Sequence, residues 1–160
     1  MSSIVLLDTS IYLNILDVPG NNQHREDVME EFKLRIEQGD SFLLPMAAIW
    51  ETGNHIANLR DGSLRYKFAT DFISDVKSAL NGNTPYRPTF FPDNAVFGKW
   101  LNFFPDYAKR NTRVNGEGIS LSDLTIIMEW EQTKARHRMS RVLIWARDRD
   151  LENYDTGNGQ

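Results

Sequence analysis

Four carboxylates in this chain sit where apolar runs end or helices begin: Asp8, Glu51, Asp123 and Asp148. Asp8 closes Ile4-Val5-Leu6-Leu7 and is followed by Thr9 and Ser10. Glu51 comes shortly after Ser41-Phe42-Leu43-Leu44-Pro45, and Asp148 follows Val142-Leu143-Ile144-Trp145-Ala146. Each also has an ordinary structural explanation. Asp8 suits a helix N-cap, Glu51 a solvated helix position, Ser120-x-x-Asp123 a variant capping box, and Asp148 or Asp150 a turn. All of them on one rim would instead make a site. The chain has no Cys, so disulfides and thiolate sites are excluded and carboxylate and His are left as metal ligands; any metal would be a hard one. Asp123 would open a helix, whose dipole favours the ionised form that a ligand needs.

Whether the acids meet depends on the elements that carry them. A continuous apolar run closed by a turn signal suits a strand buried on both faces, so a strand is expected over residues 3–8 and others over 41–44 and 141–146. Apolar residues at Val28, Met29, Phe32 and Ile36 predict a helix over 23–38, after a short one over 11–16. Pro45 opens a helix bearing Ile49, Trp50, Glu51, Ile56 and Leu59, and an amphipathic helix is expected over 62–80. Residues 81–88 form a turn-rich break. Asp93 can cap a helix that runs to Phe104 and is stopped by Pro105, and residues 109–118 form a polar loop. Ser120 or Ser122 then caps a helix over 121–133. Strands alternating with helices predict a single α/β domain over 1–154, with a mainly parallel central sheet covered by helices on both faces. The polar, Gly-rich tail 155–160 is expected to fray. In such a fold the strands' carboxyl ends share the edge where ligands bind.

Length and composition agree with one domain: 160 residues, 41% hydrophobic, with no apolar run long enough to span a membrane and no secretory pattern at the N-terminus. A cytoplasmic protein is expected. The net charge of −4 is unevenly spread: nine Lys or Arg against five Asp or Glu between 109 and 149 leave the remainder at −8. Lys109, Arg110, Arg113, Arg136, Arg138 and Arg141 are therefore candidates for a polyanion footprint, with a solvated helix face as the alternative.

These stretches together resemble the PIN-domain nucleases, the metal-dependent family that includes the VapC-type toxins. Ile4-Val5-Leu6-Leu7-Asp8-Thr9-Ser10 is similar to the family's first acidic motif and Glu51 to its second. Ser122-Asp123-Leu124-Thr125-Ile126-Ile127 is similar to the third, and the run from Val142 through Asp148 and Asp150 to Leu151 to the fourth. The chain departs from the pattern at Ala146, where the family usually carries Thr.

The resemblance implies a PIN-like three-layer sandwich and a ribonuclease hydrolysing RNA phosphodiester bonds. It implies Mg²⁺ or Mn²⁺ held by Asp8, Glu51 and Asp123 and completed by Asp148. Ser10 would orient a carboxylate or water, Asp150 would share or replace the role of Asp148, and His55, one helical turn after Glu51, is a secondary proton-transfer candidate. His24 and His137 have no evident partner. The toxin branch further implies an antitoxin protein partner and a homodimer. One alternative keeps the fold without activity, as a nucleic-acid-binding or scaffold module whose acids are caps. Another is a phosphohydrolase, whose signature would put a second Asp where Ser10 stands.

Overall fold

A computed structural model describes residues 2–110, 116–148 and 150–157. Strand β1 (Ser3–Leu7) lies between β2 (Ser41–Leu44) and β4 (Arg141–Trp145), and β3 (Tyr86–Pro88) lies outside β2, giving the order β3-β2-β1-β4. Every neighbouring pair is parallel, with Ile4 opposite both Ser41 and Val142. The apolar run predicted for this strand has its physical reason here: Val5, Leu6 and Leu7 are fully buried because helices cover both faces.

Alternation along the strands separates two cores. Val5, Leu7, Phe42, Leu44, Leu143 and Trp145 point to one face. That face is covered by α1 (Thr9–Ile15), α2 (Arg25–Glu37) and α4 (Gly62–Leu80), which contribute Tyr12, Phe32 and Ala79. Leu6, Val142 and Ile144 point to the other, under α5 (Asn94–Leu101) and α7 (Leu121–Arg136), with Trp100, Leu124 and Ile127. Helix α3 (Met46–Ala57) follows β2 directly and packs against α1, α4 and α7. The expected α/β sandwich of three layers is the observed one.

Four local expectations are corrected. The turn-rich break contains β3, whose Tyr86 pairs with Phe42 and is buried; Pro88 is tolerated because β3 is an edge strand. Pro105 does not stop a helix but sits in the first turn of α6 (Phe104–Ala108), where its missing N–H costs nothing. Helix α7 continues beyond 133 to Arg136. The start of the tail is held rather than frayed: Asp155 bridges Leu143, the Thr156 N–H donates to the Val142 carbonyl, and Arg141 donates twice to Asp155 at 2.9 and 2.6 Å. Residues 158–160 lie outside the described residues. Among the described residues no helix is long and apolar enough to cross a membrane.

Candidate functional site

The chain leaves β1 for β2 and β3 on one side, then returns to place β4 on the other. That reversal opens a crevice at the carboxyl ends of β1 and β4, the position where open α/β sheets bind ligands. Asp8 and Asp148 flank it from the two strands. Helices α3 and α7 both begin at this edge, and they carry Glu51 and Asp123 to the same cavity of about 380 Å³, which all four acids line. The sequence separation of these residues is thus removed by topology.

Each acid is fixed by local chemistry. Asp8 is the N-cap of α1: its Oδ2 accepts from the Ser10 N–H at 3.3 Å and from the Ser10 hydroxyl at 2.8 Å. The Ser10 hydroxyl in turn accepts the Arg147 N–H, which ties the loop after β4 to the loop after β1. Glu51 accepts from the Ser122 hydroxyl at 2.9 Å, joining α3 to α7. Ser120, not Ser122, caps α7 by accepting the Asp123 N–H, which leaves Ser122 available for Glu51. Asp148 accepts the Asp150 N–H in a tight turn.

The electrostatics are those of acids crowded against an apolar base. Asp8 is only 5% exposed, and burial raises its pKa against the lowering effect of the Ser10 bonds, with Asp148 adding to the rise. Asp123 is pushed up to about 7, first by burial, then by the charges of Asp8 and Asp148 and more weakly by Glu51, against a bond with Ser120. A cation among these acids would relieve that repulsion. Among the described residues, however, no three His, Asp or Glu side chains form a ready-made metal-holding group. Carboxylates are ligands of hard cations, and Mg²⁺ is one that keeps much of its water when one or two carboxylates and a substrate phosphate hold it.

Of the secondary candidates, Ser10 and His55 line the cavity and Asp150 does not; of the two acids after β4, Asp148 is the one at the cavity. His24, which has no evident partner in sequence, has one in space: it lines the cavity and its Nδ1 accepts from Arg147 at 3.0 Å. Arg147 and His24 were not legible as site residues because their approach depends on packing α2 beside the end of β4.

The basic candidates among the described residues do not line the cavity. Arg136 ends α7, and a helix of 16 residues is about 24 Å long, so it lies at the opposite edge of the sheet from Asp123. Arg141 begins β4 at that same far edge and is spent on Asp155, with Arg138 just before it in the chain. Lys109 pairs with Asp106 and Arg110 lies over the Tyr107 ring. Arg113 lies outside the described residues.

Comparisons with protein-family models, with curated proteins and with solved structures find no match to this chain.

Proposed function

We propose that the protein is a divalent-metal-dependent endoribonuclease of the PIN kind. The observation that carries this reading is the convergence of Asp8, Glu51, Asp123 and Asp148 on the crevice between β1 and β4, with serine hydroxyls holding two of them. Those four acids would hold Mg²⁺ or Mn²⁺, in part through water. When bound, such an ion supplies an activated water and stabilises the charge on the leaving oxygen.

The chain's own contribution is positional. Ser10 turns the Asp8 carboxylate into the cavity, Ser122 does the same for Glu51, and the first turn of α7 presents Asp123 where a helix dipole offsets part of the repulsion. Hydrolysis adds water oxygen to phosphorus and breaks the bond to one ribose oxygen, which takes up a proton. Single-stranded or loop RNA suits a recessed site, because its nucleotides can be splayed into it.

The test is cleavage of a mixed RNA pool by purified protein in Mg²⁺ or Mn²⁺. Asp8→Asn, which can still cap α1, and Glu51→Gln should each slow cleavage by at least about a hundredfold while RNA binding persists. EDTA should abolish cleavage, and either ion should raise the melting temperature of the wild type more than that of Asp8→Asn. Cleavage that survives both EDTA and Asp8→Asn defeats the reading. Absence of both cleavage and a metal-dependent melting shift favours the non-catalytic module, in which Asp8 and Asp123 serve only as caps.

A further inference from the structure

The cavity lining carries more than carboxylates. Asn14, His24 and Arg147 also line it, and Arg147 is the cavity's one Lys or Arg among the described residues. A lone cation beside four acids ordinarily pairs with one of them. Here no ion pair among the described residues joins Arg147 to Asp8, Glu51, Asp123 or Asp148; its only such contact is Asp27, at 3.9 Å, with the Arg147 side chain 35% and the Asp27 side chain 71% exposed. A pair so long and so open to water contributes little. The guanidinium is held beside His24, a residue of the cavity wall, and among the described residues pairs with none of the four acids.

Its position is set by a closed ring of hydrogen bonds. The Arg147 N–H donates to the Ser10 hydroxyl, and its Nη2 donates to His24 Nδ1. The His24 N–H donates to Asn14 Oδ1 at 3.1 Å, and Asn14 Nδ2 returns to the Ser10 carbonyl at 2.8 Å. Asn14 is 3% exposed, so the ring has a buried base, and it passes through the serine that holds Asp8. Because a guanidinium only donates, His24 Nδ1 is the acceptor in this bond.

We propose that Arg147, with His24 as its positioning residue, is the anchor for a backbone phosphate of single-stranded RNA adjacent to the one that is cut. The inference rests on the nuclease reading for its substrate class. A guanidinium offers paired N–H donors matched to phosphate oxygens, and an anchor fixed to the same serine as Asp8 would hold the strand in register with the acids.

The experiment uses a short fluorescein-labelled single-stranded RNA and the full chain. In an Asp8→Asn background with Mg²⁺, the slope of log Kd against log salt should be less steep by about 0.7 after Arg147→Ala, the loss of one single-strand phosphate contact. In the otherwise wild-type chain, Arg147→Ala should raise KM about tenfold with kcat little changed, since an interaction equal in ground and transition states is lost. Arg147→Lys should recover the salt slope but only part of the KM, because a point charge replaces a fork. His24→Asn, which keeps an acceptor near Nδ1, should perform better than His24→Phe.

An unchanged salt slope in Arg147→Ala overturns the anchor even if the protein cuts RNA. A fall in kcat at constant KM overturns it too, placing the guanidinium on the reacting phosphate instead. A lost slope in a protein that never cuts RNA would keep the anchor and remove the nuclease reading, so the two fail separately.

Discussion

Asp8 shows why a structural and a functional role for one carboxylate are not alternatives. The same oxygen that caps α1 by accepting from Ser10 belongs to a side chain lining the cavity, 5% exposed. Capping holds the group in place; it does not remove its charge. Glu129 carries a similar burden away from the site. It is 9% exposed, its Oε1 accepts from the Thr89 hydroxyl at 2.7 Å, and its Oε2 has no hydrogen-bond partner among the described residues. Burial, opposed by that one bond, pushes its carboxyl from 4.5 up to about 7. The native state therefore holds the proton more tightly than the unfolded chain does. The stability this provides is complete below about pH 4.5 and is lost as pH rises toward 7, a difference of about 3 kcal/mol across the window. Glu129→Gln should remove this dependence: urea unfolding at pH 5 and pH 8 should show the wild type losing about 2–3 kcal/mol more than the variant. Parallel losses in the two proteins would show that Glu129 does not titrate in this window.

At the scale of elements, the expectation that failed most instructively was β3. Three residues that follow one proline and end in another carry too little pattern to be recognised, and what makes them a strand lies elsewhere in the chain. Tyr86 donates to Asp75 on α4 at 2.5 Å, and Tyr12 on α1 donates to the same oxygen at 2.6 Å. The rings of Tyr12 and Tyr86 meet edge to face at 5.7 Å, so one carboxylate clamps α1, α4 and β3 together. Burial and then the bond to Asp75 raise both tyrosine hydroxyls above their ordinary value, which keeps them protonated as donors. Asp75→Ala would leave two buried hydroxyls without their acceptor and should cost about 2–4 kcal/mol, whereas Tyr86→Phe removes one bond and should cost about 1 kcal/mol. Chemical denaturation of the two variants checks the order. Equal costs would mean that Asp75 does not serve both rings.

At the scale of the molecule, charge is distributed by the direction of α7 and β4. Helix α7 starts at the acidic edge and ends at Arg136, and β4 starts beside that far end with Arg141, so Arg136 and Arg141 are separated from the acids by the length of the strands. Replacing Arg136 and Arg138 together by Gln should leave RNA affinity and its salt slope unchanged. Fluorescence anisotropy over a salt series measures this; a flattened slope would return those residues to the RNA path. Arg141→Gln should instead destabilise the fold, because Asp155 would lose the two bonds that hold the end of the chain to β4.

The sequence by itself determined what depends on neighbours within a few positions. The apolar runs of β1, β2 and β4, the spacing of Val28 and Phe32, and the caps at Asp8, Asp93 and Ser120 were all legible, because burial period and capping bonds are short-range. The positions of the acids along the elements are equally local: Asp8 and Asp148 follow strands, and Glu51 and Asp123 lie early in helices. Tertiary structure alone decided which groups face one another. Ser10 meets Arg147 across 137 positions, Ser122 meets Glu51 across 71, and His24 gains its partner only when α2 packs beside the end of β4. It also carried Arg136 and Arg141 away from the acids and bound Asp155 to the sheet. Sheet order and helix direction set those distances, and no local pattern encodes them.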